Sequence, residues 1–156
     1  MRLTRQSNYA VRTLVYCAVN APGLSRVGDV ARAHSISELF LFKLIKPLVE
    51  AGLIETVRGR HGGIRLGLPA ADITLLDCIR LTEENFALAE CFEGGDINCP
   101  LVSNCDLNAA LGEALQAFFA VLESYTIADL AGKRRSLRAR LGLGLEAIGL
   151  GEVAVN

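Results

Sequence analysis

A β-hairpin is predicted by the segment Leu53-Ile54-Glu55-Thr56-Val57-Arg58-Gly59-Arg60-His61-Gly62-Gly63-Ile64-Arg65-Leu66. Its two ends are rich in strand-forming residues, and the glycines between them are typical of a turn. A nucleotide-binding loop is a competing interpretation, but no Gly-Lys-Ser/Thr follows, and the segment joins two strands rather than a strand and a helix. The hairpin has the form of a wing, and its basic residues favour contact with DNA phosphates or a minor groove: Arg58, Arg60, His61 and Arg65.

Two helices before the wing have the spacing of a helix-turn-helix unit. Ser25 precedes a short helix over 26–33, and Ser37 precedes a longer helix over 38–51. A connection of three or four residues is typical of this motif, whose second helix enters the major groove. With an earlier amphipathic helix over 8–20, for which Ser7 is the expected cap, these elements predict a mainly α fold with a small β-wing, in which residues 1–73 form a winged helix-turn-helix domain. The residues of the second helix that we expect to face DNA are Ser37, Glu38, Phe40, Lys43 and Lys46.

Charges are distributed unevenly along the chain. Residues 1–68 hold ten Lys/Arg against four Asp/Glu, residues 69–131 hold one against eleven, and residues 132–156 hold five against two. A basic first part favours a polyanionic partner such as nucleic acid, although an ordinary solvated surface is the competing interpretation. Arg2 and Arg5 belong to this part, so we expect them near DNA phosphates or base edges.

Three cysteines, Cys91, Cys99 and Cys105, follow the winged domain with gaps of seven and five residues. Glycine, aspartate, asparagine and proline between them let the backbone bring the sulfurs together. This spacing suits an iron-sulfur cluster, whereas a structural zinc site usually has four ligands and a close Cys-x-x-Cys pair. On spacing alone, zinc, a disulfide with a spare thiol, and three reduced cysteines stay open. Cys17 and Cys78 fall instead on apolar helix faces, as expected for small buried residues.

The second half of the chain predicts a helical arm. A helix over 75–83 links the wing to the cysteine loop, and a long helix over 106–125 carries one broad apolar face. A helix that projects from a small domain needs a partner, which favours a twofold dimer over intramolecular packing. We therefore assign residues 74–131 to the linking helix, the cysteine loop and the dimerisation helix. Residues 132–156 contain a basic run from Lys133, and we expect a mobile tail there.

The chain shows no secretion signal and no run of about 18 apolar residues, so we expect a cytoplasmic protein without a membrane partner. In that reducing compartment, five cysteines favour metal or redox chemistry over a disulfide framework. A chain of 156 residues is too short to build the large substrate cleft of an iron-sulfur enzyme. We therefore expect a regulator and not an enzyme.

Several motifs of this chain resemble the Rrf2 family of bacterial winged-helix regulators. They are Tyr9-Ala10-Val11-Arg12, Ala51-Gly52-Leu53-Ile54, the wing over 58–66 and the three cysteines near position 100. The resemblance covers roughly residues 1–131, and the first six residues and 37–43 are similar to the RirA-like branch, the rhizobial iron regulators. Membership implies a homodimer that binds double-stranded operator DNA and joins through the helix after Cys105. It also implies an iron-sulfur cluster held by Cys91, Cys99 and Cys105. We expect the cluster to be of the 4Fe-4S type and the protein to be an iron-responsive repressor that binds DNA when the cluster is present.

Two positions depart from better-known members of that family. Some members have a histidine three residues after the last cysteine, where this chain has Asn108, and others use an aspartate of the first helix, where this chain has Asn8. An amide is a weak iron ligand, so we expect solvent or a nearby acid such as Asp96 or Asp106 to complete the site. A weakly held iron favours an iron sensor. A nitric oxide or redox sensor of the same family, and a zinc or thiol-switch DNA-binding regulator, are the alternatives.

Overall fold

Helices make up most of the fold, seen in a computed structural model that describes residues 2–92, 99–100 and 105–144. The predicted mainly α fold with one small β-wing is confirmed. Two short 3₁₀ turns lie at Ala70–Asp72 and Glu90–Phe92. The longer elements are α1 (Arg5–Asn20), α2 (Val27–His34), α3 (Glu38–Glu50), β1 (Ile54–Val57), β2 (Gly63–Leu66), α4 (Leu75–Thr82), α5 (Asp106–Ser124), α6 (Ile127–Ala131) and α7 (Arg134–Arg140).

The core is built around α1, which packs against α3, α4, α6 and α7. Ala10 and Leu14 on one side of α1 are fully buried. The helix begins three residues earlier than the sequence indicated, because Thr4 caps it by accepting a hydrogen bond from the Ser7 backbone N–H at 3.4 Å. Ser7, which we had expected to be the cap, lies buried within the first turn.

The wing is attached to the start of the helix-turn-helix unit by backbone hydrogen bonds. Ile64 on β2 exchanges two of them with Ser25, at 2.8 and 2.9 Å. A Cβ at Gly63 would lie 2.7 Å from the Ser25 carbonyl oxygen, so only glycine allows the two backbones to approach this closely. The wing therefore keeps a fixed position relative to α2 and α3.

The ends of α4 and α5 are anchored on the same core. The Leu75 N–H donates to the Tyr125 carbonyl, and the Ile127 N–H donates to the Ile73 carbonyl, both at 2.9 Å. Ile73 and Ile127 are fully buried. Ile127, 61 positions after Leu66 at the end of the wing, therefore belongs to the core of the winged domain.

The basic run near the C-terminus forms α7, which differs from the mobile tail that we expected there. Arg138 is only 4% exposed and donates to the carbonyls of Val19 at 3.1 Å and Gly144 at 2.7 Å. Arg134 donates to the Val19 carbonyl at 3.0 Å and also to that of Ala21. The last carbonyls of a helix lack intrahelical partners and attract cations, so the arginines of α7 cap the C-terminus of α1. Residues 145–156 lie outside the described residues.

The long helix α5 has no buried residue among its 19 described positions. One side is partly covered by its own chain, since Phe119 meets the Phe86 ring at 5.0 Å and the Arg80 guanidinium at 5.3 Å. The other side of α5 carries an exposed row of apolar residues, here called the outer stripe: Leu107, Ala110, Ala114, Ala117, Val121 and Tyr125.

None of the helices in the described ranges is long and apolar enough to span a membrane.

Candidate DNA-binding surface and cysteine site

The turn between α2 and α3 fixes the direction of α3. Ser35 adopts a left-handed backbone conformation with φ 54°, and the Ile36 N–H donates to the Ala31 carbonyl at 2.9 Å. The Ser37 hydroxyl then accepts from the Phe40 N–H at 3.4 Å and caps α3. The predicted helix-turn-helix pair is therefore present.

One face of α3 packs on the core and the other faces solvent. Leu41, Leu44, Ile45 and Leu48 are buried at steps of three and four residues. The exposed residues on and around the opposite face are Ser37, Glu38, Leu39, Phe42, Lys43 and Lys46.

Phe40 does not belong to that exposed face, although we predicted from the sequence that it would face DNA. Its half-buried ring lies edge-on to Tyr9 of α1, with the ring centroids 5.7 Å apart. Leu39 and Phe42, which we did not predict from the sequence to face DNA, are 69% and 55% exposed. The period of the buried residues was the signal that could have found them, because it leaves positions 39 and 42 on the outer side.

The arginines of the wing differ in their surroundings. Arg65 on β2 lies opposite Glu55 on β1 and donates to its carboxylate from Nε at 2.9 Å and from Nη2 at 2.8 Å. Arg58 and Arg60 form no salt bridge within the described residues, and with His61 they are exposed at the tip. The tip therefore carries more available positive charge than the strands.

The N-terminus adds two further exposed arginines, Arg2 and Arg5. Gln6 of α1 and Lys43 of α3 line the same small cavity, so the start of α1 lies beside the exposed face of α3. Arg2 and Arg5 thus belong to the same half of the molecule as the helix-turn-helix unit.

Two of the five cysteines are core residues, as the sequence predicted. Cys17 is 2% exposed and Cys78 is fully buried. Burial raises the pKa of each thiol to about 12, so both stay protonated at neutral pH. Neither is available as a metal ligand or a redox switch in the folded protein.

Asn108 brings two of the other three cysteines together. Its backbone N–H donates to Cys105 Sγ at 3.4 Å, and its side-chain amide donates to Cys91 Sγ at 3.1 Å. Cys91 and Cys105 are half-buried, whereas Cys99 is exposed. The structure therefore places two of the three predicted ligands around one asparagine, Asn108.

The residues present fit a metal group in their chemistry, and only partly in their placement. Thiolates are the ligands of iron-sulfur clusters and zinc, and hydrogen bonds to cysteine sulfurs help to set the potential of a cluster. Among the described residues, however, no three His, Cys, Asp or Glu side chains converge as a metal site. Asp106 is exposed at the start of α5, and Asp96, the other acid considered as a ligand, lies outside the described residues.

Comparison with known proteins identifies the family. The profile described as "Rrf2: Iron-dependent Transcriptional regulator" matches residues 3–133. The chain belongs to the Rrf2 family. This Rrf2 protein is therefore a DNA-binding transcription regulator and not an enzyme.

Relatives and a solved structure agree with this assignment. The Rrf2 chain is 60% identical over 143 residues to Protein aau3 of Rhizobium meliloti (strain 1021), covering 92% of this chain and 93% of the relative. It is 45% identical over 142 residues to the HTH-type transcriptional regulator NsrR of Geobacillus kaustophilus (strain HTA426), covering 90% and 97%. The structure of CymR, the global cysteine regulator of B. subtilis, matches with a TM-score of 0.68 and 26% identity, covering 85% and 97%. The likeness to a rhizobial protein is consistent with the RirA-like group.

Proposed function

We propose that this Rrf2 protein is an iron-responsive repressor that binds its operator when Cys91, Cys99 and Cys105 hold an iron-sulfur cluster of the 4Fe-4S type. The observation that carries the proposal is the meeting of Cys91 and Cys105 at Asn108. The profile that matches the chain is described as iron-dependent, which supports iron as the signal. When bound, the cluster would make the state of the protein depend on iron, because the cluster is present only when iron is available.

The surroundings of the thiols favour a weakly completed site. Asn108 directs its side-chain N–H group at Cys91 Sγ, and its amide carbonyl oxygen is a weak iron ligand. Asn8 is exposed on α1, and its amide oxygen would also be a weak iron ligand. With three thiolates and no strong fourth ligand, one iron would exchange easily with solution, as an iron sensor requires.

The cysteine site lies where it could control the geometry of the dimer. Cys91 follows α4, whereas Cys105 directly precedes α5 and caps it. Holding these two sulfurs together joins the segment after α4 to the start of α5, and it adds to the contacts that set the angle between α4, which packs on the winged domain, and α5. If the two sulfurs separate, the angle between α4 and α5 changes, and the spacing of the two copies of α3 in a dimer changes with it. Base contacts worth about 1–3 kcal/mol per bidentate pair would then be lost.

The outer stripe of α5 supports the predicted homodimer. Leu107, Val121 and Tyr125 are 65%, 57% and 51% exposed, and exposed alanines lie between them. A continuous apolar row of this length favours burial against a partner helix, and a twofold axis would pair it with itself. A dimer of winged domains would read two half-sites of double-stranded DNA.

A visible spectrum and a chelator titration test the proposal. The protein, purified without oxygen, should absorb visible light and contain iron and sulfide, whereas zinc or free thiols would leave it colourless. Its DNA is found by selecting duplexes from a random library. An iron chelator should then release the protein from that duplex without nitric oxide. If chelation leaves the complex intact and nitric oxide dissolves it, the nitric oxide interpretation replaces iron sensing.

Cysteine variants separate ligands from core residues. Cys91→Ala, Cys99→Ala or Cys105→Ala should each prevent stable cluster assembly, because two thiolates leave two irons without protein anchors. Cys17→Ala and Cys78→Ala should keep the spectrum and lower the free energy of unfolding by about 1–3 kcal/mol, since both are buried. Iron and sulfide content per chain gives the first result, and urea unfolding gives the second. A Cys99→Ala protein with a full cluster would contradict the ligand assignment.

A further inference from the structure

The exposed face of α3 is unusually apolar for a helix that meets DNA. Leu39 is 69% exposed and Phe42 is 55% exposed, and they lie one turn apart in the first half of the helix. Neither side chain packs against the hydrophobic core, whereas Phe40 between them does. The packing of the described residues therefore gives no reason for two large apolar residues at these positions.

The charges around the pair indicate what covers it. Lys43 and Lys46 continue the same face at the next turn, and the wing that is hydrogen-bonded to Ser25 carries Arg58 and Arg60. Glu38 also lies on this face and Glu50 pairs with Lys46 at 3.8 Å, but Lys43, Arg58 and Arg60 form no salt bridge within the described residues. The net charge therefore favours a polyanionic partner that also covers Leu39 and Phe42. Duplex DNA has this combination, because phosphates border a major groove whose base edges include the apolar C5 methyl group of thymine.

We infer that Leu39 and Phe42 are specificity-determining residues that contact thymine methyl groups in the major groove of each half-site. The inference rests on the proposed DNA contact of α3 and names what that helix reads. Two apolar side chains can neither donate hydrogen bonds to base edges nor accept them. They can distinguish bases only by apolar contact with the methyl group of thymine. The lysines of the same face would contribute affinity without sequence preference.

The test removes the methyl groups from the DNA and leaves the protein unchanged. A duplex selected from a random library by the full-length protein is synthesised with each thymine replaced, one at a time, by uracil, which lacks only the C5 methyl group. At one or more thymines in each half-site, the substitution should weaken binding by about fourfold, the fold-change for one buried methylene-sized group. Other thymines should show no change.

Variants then assign the effect to residues. The Leu39→Ala and Phe42→Ala proteins should each lose sensitivity to uracil at their own thymine and keep the salt dependence of binding, because no charge is removed. Lys43→Ala is the matched control on the same face: it should keep the uracil effect and reduce the magnitude of the salt slope by about 0.9. Leu68→Ala, which removes a leucine that is 44% exposed outside α3, should change neither property.

The possible outcomes separate this inference from the proposed function. If the protein selects a duplex but binds it equally well with uracil at every position, the methyl contact is wrong while DNA binding stands. If uracil weakens binding equally in the wild type and both alanine variants, other residues read the methyl groups and the assignment is wrong. If no duplex is selected with or without the cluster, the proposed DNA function itself fails. An intact uracil response that disappears in the variants supports the inference.

Discussion

Glu83 is one residue that links the cysteine region to the DNA-binding half. One carboxylate oxygen accepts hydrogen bonds from the Thr4 N–H at 2.7 Å, from the Thr4 hydroxyl at 3.1 Å and from the Ser7 hydroxyl. Ser7 also contacts the Thr82 hydroxyl at 2.7 Å. Partial burial raises the pKa of Glu83, but the hydrogen bonds outweigh it and hold the pKa below its ordinary value. The segment that leads to Cys91 is thereby tied to the start of α1.

The Glu83→Gln variant should lose stability in a pH-dependent way. Because the pKa is lowered in the folded protein, the carboxylate stabilises the fold above its ordinary pKa of 4.5, and this contribution disappears as the pH falls through the lowered value. We expect the substitution to reduce the free energy of unfolding by about 1 kcal/mol at neutral pH, since solvent weakens a partly exposed charged acceptor. Urea unfolding at pH 7 and pH 3 should show a smaller difference at pH 3.

The neighbouring Glu84 provides the control for this measurement. It is exposed, and Glu84→Gln removes the same charge one residue later. That variant should match the wild type at both pH values. If Glu83→Gln also matches the wild type at neutral pH, the hydrogen bonds to Thr4 and Ser7 do not stabilise the fold.

The outer stripe of α5 predicts where the dimer forms. Ala114 lies in the middle of that stripe and is exposed in the single chain. Ala114→Glu would place a charge inside a helix-helix contact, where burial without a partner is costly. We therefore expect the variant to be monomeric, with a mass by light scattering about half that of the wild type.

Gln116 gives a matched control on the same helix. It is exposed two residues later, which places it on the far side of α5 from Ala114. Gln116→Glu adds the same charge and should leave the dimer intact. A dimeric Ala114→Glu protein would show that α5 pairs through another face or not at all.

The wing predicts unequal contributions from its arginines. Arg60 forms no salt bridge among the described residues, whereas Arg65 is paired with Glu55. Arg60→Ala should weaken binding to all duplexes and reduce the magnitude of the salt slope by about 0.9, the value for one phosphate contact. Arg65→Ala should change the slope less, since its charge is already partly neutralised. Equal slopes for both variants would mean that Arg65 leaves Glu55 when DNA binds.

The local elements were predictable from the sequence, and several tertiary contacts were not. The wing and the helix-turn-helix pair depend on glycines, caps and periodicity, which are local properties of the chain. The place of Arg138 depends on the free carbonyls of α1, more than a hundred residues away, so its basic run was interpreted as a tail. Phe40 was misplaced for a related reason, because closeness to the start of α3 was given more weight than the period of its buried face.

The site was predictable in its residue types and not in their arrangement. The three cysteines stand out by spacing, yet the hydrogen bond from Asn108 to Cys91 joins residues 17 positions apart. From the sequence, Asn108 was interpreted only as a position where a ligand is missing, because an amide binds iron weakly. Asn108 can donate to the sulfur only if the start of α5 lies beside Cys91, and no local sequence pattern predicts that contact.

The complete dimer should read two half-sites at one fixed separation. Each α3 is held to its own α5 through the core contacts of α4 and α6, and the two copies of α5 would be joined by the outer stripe. Inserting about five base pairs between the half-sites turns them to opposite faces of the duplex, because one turn takes about 10–10.5 base pairs. Affinity should therefore fall to that of a single half-site, as measured by gel shift with the loaded protein.

An insertion of about ten base pairs distinguishes a rigid dimer from a flexible one. This insertion returns both half-sites to the same face of the duplex but moves them about 34 Å further apart. A dimer fixed by α5 cannot follow that distance, so we expect the affinity to stay low. The Ala114→Glu protein should bind all three duplexes equally, since a monomer occupies one half-site at a time. Recovery of the wild-type affinity at ten base pairs would show that the two winged domains move independently, and the cysteine site could then not act through their spacing.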